Sequence, residues 1–141
     1  MAFQRSLVIE TGGAGLYEFT SRVAAFVDET NVGAGLLTLF VRHTSCSLLI
    51  QENADPDVRR DIEAFFARLV PDADDPSMNY LTHRIEGVDD MPAHIKAALT
   101  AVSLSIPIAN GRLALGAWQG LYLFEHRRAA HRREIVMHIG S

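Results

Sequence analysis

The densest group of reactive side chains lies between Tyr80 and Lys96. Tyr80, His83, Glu86, Asp89, Asp90, His94 and Lys96 fall within seventeen residues, which hold two of the six histidines. A third, His43, opens the run His43-Thr44-Ser45-Cys46-Ser47 upstream. Neutral imidazoles suit zinc, copper, nickel or iron, and three of them with water complete an open, catalytic type of site. The carboxylates among them have the chemistry of metal ligands, of partners for a ligand histidine's second nitrogen, or of general bases.

The surroundings of each residue sharpen this. His94 falls in the first turn of a helix expected to start near Pro92, where free backbone N–H groups favour an anion over an imidazolium. A neutral His94 can bind metal, and Lys96, the only lysine in the chain, is placed to meet a phosphate oxygen. A surface histidine beside a solvated lysine is the plainer alternative. Asp90 is expected to cap the helix, which leaves Asp89 or Glu86 for chemistry. His43 continues the row Leu37, Leu39, Val41 on one strand face, so alone it reads as a satisfied core residue. Only proximity to His83 and His94 would make it a ligand. Cys46 has no recognisable nucleophile motif around it, and a single cysteine excludes a Cys-x-x-Cys zinc site. Gly116-Ala117-Trp118-Gln119-Gly120 reads either as a bulge beside a core tryptophan or as a ligand platform.

The elements that must position these residues follow from periodicity. Phe3 to Glu10 alternates as a strand and meets the glycine cluster 12–15, which lacks the Gly-Lys-Ser/Thr of a phosphate-binding loop and reads as a turn. A helix capped by Thr20 or Ser21 places Val23, Phe26 and Val27 on one face. Residues 36–43 and 48–50 are strand-like. Asp55-Pro56 combines a cap with a proline in the first turn of a helix carrying Val58, Ile62, Phe65, Phe66 and Leu69, closed by Pro71. The loop Asp72-Ala73-Asp74-Asp75-Pro76 is polar, either solvated or a hard-cation site. In the third helix Ile95, Ala98, Leu99 and Val102 share one side. Strands follow at 102–108, 112–115, 118–126 and 132–139, with Asn110-Gly111 as a hairpin turn. The sum is a single α+β domain over residues 1–141, mainly antiparallel sheet with about three helices.

Composition narrows the function classes. With 141 residues and 48% apolar content the chain is one globular domain. No apolar run approaches the ~20 residues needed to span a bilayer, so no membrane partner is expected. The lone cysteine suits a reducing compartment, and a cytoplasmic protein is expected. Net charge is −4, but Arg127, Arg128, Arg132 and Arg133 cluster with His126 and His131 near the C-terminus. Such a cluster holds phosphate groups or is a solvated hairpin tip. Without interleaved aromatics it does not point to nucleic acid.

Four motifs together carry a resemblance. His43-Thr44-Ser45, Glu52-Asn53-Ala54-Asp55-Pro56, Tyr80-x-x-His83-x-x-Glu86-Gly87-x-Asp89-Asp90-Met91-Pro92-x-His94-Ile95-Lys96 and Gly116-x-Trp118-Gln119-Gly120 occur in this order. From about Phe3 to Gly140 the chain strongly resembles the YjbQ-like family of secondary thiamine-phosphate synthases. It departs at Ala117, where threonine is frequent, and at Cys46, where alanine is usual; the second departure argues further against a cysteine nucleophile. The resemblance implies a sandwich-like sheet arrangement, a homotrimer, and a divalent metal, Zn or Mg, carried over to His43, His83 and His94. It also implies joining of a pyrimidine-methyl diphosphate to a thiazole phosphate with release of diphosphate. For that reaction Glu52, Glu86 and Asp89 are candidate catalytic residues with Lys96, and Glu52, Glu86, Asp89 and Asp90 are the carboxylates that could help hold Mg. Ser45, Asn53, Tyr80, Trp118, Gln119 and Arg127 are candidates for binding the phosphorylated substrate, with Trp118 or Tyr80 stacking on the pyrimidine. The dedicated enzyme for this reaction is a barrel of about 250 residues, a scale this chain does not reach. The alternatives are metal-dependent hydrolysis of a small metabolite and a non-catalytic trimer that binds a metal or metabolite.

Overall fold

The structure is a computed structural model and describes residues 2–140. Among the described residues eight strands and three helices form in the order β1 (Phe3–Thr11), β2 (Gly15–Glu18), α1 (Thr20–Thr30), β3 (Gly35–Val41), β4 (Cys46–Glu52), α2 (Pro56–Leu69), α3 (Asp90–Leu99), β5 (Ser103–Ala109), β6 (Arg112–Leu113), β7 (Gln119–Glu125) and β8 (His131–Gly140). A 3-10 turn at Pro76–Met78 precedes α3. All pairings between named strands are antiparallel, in a five-stranded sheet ordered β1-β8-β3-β5-β6 and a three-stranded sheet ordered β2-β7-β4. Among the described residues no helix is long and apolar enough to cross a membrane.

Alternation builds the core. Leu37, Leu39 and Val41 of β3 and Ile135, Met137 and Ile139 of β8 face Leu48 of β4 and Leu121 and Leu123 of β7, with Phe19, Val23, Phe26 and Val27 joining from the α1 region. The opposite face of the small sheet buries Leu16, Tyr122 and Phe124 beneath Ile62 and Phe66 of α2. Side chains of the two sheets thus meet in one core, and α2 forms an outer layer.

Local signals decide several boundaries. The Asp55 side chain accepts from the Asp57 amide at 2.9 Å, and Pro56 opens α2. Asn110 and Gly111 take φ of 52° and 74°, the two positive values that the tight β5–β6 hairpin requires. The 12–15 segment is a turn, braced by the Tyr17 hydroxyl, which accepts from Gly12 N and donates to Gly13 O. Two helix expectations are corrected. No side chain caps α1; the Thr20 hydroxyl instead accepts from Leu121 N at 2.8 Å and ties the helix to β7. The third helix starts at Asp90 rather than Pro92 and buries Asp90, Pro92, Ala93 and Ala97, while Ala98 and Leu99 are exposed. Its small residues allow close approach to β4.

One charged pair lies inside this apolar frame. Glu125 ends β7 and Arg133 lies on the inward row of β8 that Ile135, Met137 and Ile139 continue. Arg133 donates from Nε to Glu125 Oε1 at 2.7 Å and from Nη2 to Oε2 at 2.5 Å, and Nη2 also reaches Ser45 Oγ at 2.9 Å. Thr11 donates to Oε1 at 2.7 Å, and the amides of His126 and Arg127 donate to Oε2 at 3.1 Å. Burial pushes the Glu125 carboxyl upward, but these donors outweigh it and hold the group below the usual carboxylate range.

Removing one partner of a buried pair leaves an uncompensated charge, so Glu125→Ala should lose about 3–5 kcal/mol in urea denaturation. Because its folded value is depressed, the carboxylate contributes fully above its ordinary titration range. That contribution fades as pH falls through the range, and Glu125→Gln should flatten this part of the acid limb.

Candidate metal site and adjoining cavity

The start of α3, the 79–89 loop and the β7–β8 hairpin meet at one end of the sandwich. Asp90 and His94 are one helical turn apart on α3 and share a face. His83, from the loop, donates from Nε2 to Asp90 Oδ2 at 2.7 Å. His94 Nε2 lies 3.2 Å from the same oxygen, while its Nδ1–H donates to the Thr44 carbonyl at 2.8 Å. The donor atoms of His83, Asp90 and His94 lie within 4.8 Å of one another, close enough to hold one metal ion.

The carboxylate at the centre is 1% exposed. Arg127 holds it with Nη1 on Asp90 Oδ1 at 2.7 Å, Nε on Asp89 Oδ2 at 3.1 Å and Nη2 on the Glu86 carbonyl at 3.0 Å. The Arg128 amide completes Asp89 at 2.9 Å. Burial alone would raise both carboxyls. At Asp90 the His83 bond and the neighbouring Arg127 charge win; at Asp89 the Arg128 and Arg127 bonds win. Both stay ionised below the ordinary range.

The geometry around His94 constrains its chemistry. Its Nδ1–H is assigned from the bond to a carbonyl, which can only accept. A neutral ring therefore turns a bare Nε2 lone pair toward a carboxylate oxygen. Two acceptors at 3.2 Å need a cation between them, either a proton or a metal ion.

The structure sorts the candidates into separate places. His43 is outside the group: its Nε2 accepts from the Glu134 amide at 2.8 Å, and burial first, then the Arg133 charge, lowers its pKa. Asp90, expected as a cap, is the shared carboxylate, while the Asp89 side chain makes no cap bond. Ser45 is buried against Arg133. Cys46 is fully buried, and burial pushes its thiol up to about 12, so it offers no thiolate. Glu86 and Tyr80 are exposed on the 79–89 loop.

Glu52, Asn53, Trp118 and Gln119 gather elsewhere. Glu52 pairs with Gln119 at one end of β4–β7, whereas Cys46 pairs with Glu125 at the other. The strand Cys46–Glu52 is seven residues long, so six steps of about 3.3 Å put the two ends roughly 20 Å apart. There Asn53 donates to Glu18, Gln119 accepts from Gly116 N, and Trp118 is 66% exposed.

Beside the metal-type group a cavity of about 490 Å³ opens between α3, the 70–75 segment and the hairpin, with Lys96, His126, Arg128, Asp72 and Asp89 in its wall. Its size suits a small molecule. Burial lowers the Lys96 pKa, partly offset by Asp89. Burial first and the Lys96 charge second push His126 down to about 3, so its ring is neutral.

Sequence reasoning missed Glu125 and Arg133 as a buried pair, and it named Asp90 as a cap and as one of four carboxylates able to help hold Mg, without singling it out as the one between the two histidines. The signals were present: Arg133 sits in phase with Ile135, Met137 and Ile139, and Asp90 stands four residues before His94.

Residues 5–141 match the family described as UPF0047 protein YjbQ-like. The chain is 54% identical to UPF0047 protein sll1880 of Synechocystis, over 98% of this chain and 91% of that one. It is 42% identical to UPF0047 protein YjbQ of Escherichia coli O157:H7, over 96% of both. A crystal structure of a YjbQ/UPF0047-family protein from Clostridium acetobutylicum superposes with a TM-score of 0.79 at 34% identity, covering 98% of this chain and 99% of that one. A continuous match across nearly the whole length, in sequence and in fold alike, places this chain in the YjbQ-like UPF0047 family.

Proposed function

We propose that His83, Asp90 and His94 hold a divalent metal and that the protein is a metal-dependent transferase acting on phosphorylated precursors, forming thiamine phosphate with release of diphosphate. The observation that carries the metal is the convergence of His83, Asp90 and His94 donor atoms within 4.8 Å, with His94 Nε2 at 3.2 Å from Asp90 Oδ2, an arrangement a bound cation satisfies. Two imidazoles and one carboxylate with a free position suit zinc better than magnesium, which prefers oxygen ligands and water. When bound, the ion supplies electrophilic stabilisation of the charge that grows on departing diphosphate. The protein's own groups do the rest. Thr44 sets the His94 tautomer, Arg127 keeps Asp90 and Asp89 ionised and in place, and Lys96 and Arg128 line the space where phosphate oxygens would sit. The substrate identity rests on the family resemblance; in the cavity beside the metal group Lys96 and Arg128 are the cations available to it, among Asp72, Asp74, Asp75 and Asp89.

The same reading includes a homotrimer. Leu36 and Phe40 on the outer face of β3, with Phe65 and Leu69 on α2, are exposed apolar surface of the kind that self-association covers. Light scattering should return the mass of three chains.

Zinc titration of chelator-treated protein should give about one tight site per chain, lost in His83→Ala. Arg127→Ala should retain the site with about 10- to 100-fold weaker affinity, because it supports the ligand carboxylate without being a ligand. Given both precursors, metal-loaded wild type should form thiamine phosphate, and folded His83→Ala should not. Turnover that survives in His83→Ala would remove the reaction from this site. Consumption of one precursor alone would mark hydrolysis instead.

A further inference from the structure

Helix α3 also borders the cavity through Lys96. Lys96 lies two residues beyond His94, so it projects well away from the metal-type group and into the cavity wall. It is half-buried, and its ammonium makes no hydrogen bond or ion pair among the described residues. Opposite it stands His126, 3% exposed, whose Nδ1 is buried without a partner.

The proton on that ring can be placed from its other nitrogen. His126 Nε2 lies 2.9 Å from the hydroxyl of Ser47, which is fully buried and has no other partner among the described residues. If Nε2 carried the hydrogen, the Ser47 O–H and the Nδ1 lone pair would both be left unmatched. If Ser47 donates to Nε2, only the Nδ1–H remains over. The second arrangement leaves fewer buried orphans and makes Nδ1 a donor without an acceptor. A buried donor of this kind is destabilising until an acceptor arrives from outside the chain.

The wall carboxylates do not supply that acceptor. Asp72 pairs with Arg128, and Asp89 is taken by Arg127 and the Arg128 amide. Asp75 accepts from Ser77, and Asp74 is exposed at the rim. Lys96 and His126 therefore share one cavity wall with an ammonium and a buried N–H that no described residue satisfies, beside a guanidinium already paired with Asp72. We propose that this cavity binds the phosphate group of a small phosphate monoester, with Lys96 Nζ and His126 Nδ1–H as its donors. The inference deepens the reading of a phosphorylated substrate and rests on it for the choice of phosphate over other oxyanions. It locates that phosphate on the side of α3 away from the metal ligands, and it brings in His126, a residue without a role in the metal group.

Inorganic phosphate is the probe, titrated calorimetrically into the full chain with and without a chelator, while the His126 ring nitrogens are followed by NMR. Saturable binding that persists with chelator, moves the His126 Nδ1 resonance and weakens at least about tenfold in Lys96→Gln is expected. His126→Phe, if folded, should weaken it similarly. Absence of saturable binding, unchanged affinity in Lys96→Gln, or binding abolished by the chelator would overturn the proposal. The last outcome would assign phosphate to the metal. Zinc binding is measured separately, so failure of the metal site leaves this result readable, and the reverse.

Discussion

The buried Glu125–Arg133 pair is the constraint on which the site depends. Glu125 closes β7 and Arg133 enters β8, so the pair clamps both ends of the hairpin that carries His126, Arg127 and Arg128. The same carboxylate accepts the amides of His126 and Arg127, which fixes the backbone at the point where those side chains leave the sheet. Burying two charges is costly, and their mutual attraction offsets that cost only when every lone pair and N–H is matched. Here Thr11 and Ser45 supply the remaining partners, from β1 and from the segment before β4. Four distant parts of the chain are thereby held to one register.

From that clamp the order passes outward through Arg127. Its guanidinium is planar and presents its donors in a fixed fork, which matches two adjacent carboxylates and a carbonyl at once. Asp89, Asp90 and the Glu86 carbonyl are therefore positioned against the sheet rather than by α3 alone. His83 and His94 then converge on Asp90 Oδ2, with Thr44 orienting the second imidazole from the β3–β4 connection. Ligand-type side chains come from a loop and a helix, while the groups that hold them come from the connections between strands. The cavity shares this frame, because Asp89 faces both Arg127 and the space bounded by Lys96 and His126. Metal-type group and cavity are two sides of one assembly.

The elements were legible because local chemistry marks them. Alternation along β3 and β8, the Asp55-Pro56 start of α2 and the Asn110-Gly111 turn each depend on neighbours a few residues away, and each appears in the structure. Where expectation and structure part, a tertiary contact has overridden a local preference. The α3 face is the clearest case: its larger apolar residues predict one buried side, yet close approach to β4 selects the side with Ala93 and Ala97. His43 is another, its Nε2 occupied by the Glu134 amide of a neighbouring strand.

What the sequence determined by itself, then, was the α+β class, the order of elements and the types of side chain available for chemistry, because periodicity and turn residues act over a few positions. The start of α3 at Asp90, which puts Asp90 and His94 one turn apart on the same helix face, belongs to the structure, since the sequence pointed to Pro92 as the first helical residue. Only the tertiary structure decided which of these side chains meet. Asp90 and Arg127 are 37 residues apart in sequence and Ser47 and His126 are 79 apart, and no local rule specifies such encounters. The same strand pairing that joins Cys46 to Glu125 sends Glu52, Asn53, Trp118 and Gln119 to the far end of β4 and β7. Register, which depends on how whole faces pack, divided one set of candidates into two places.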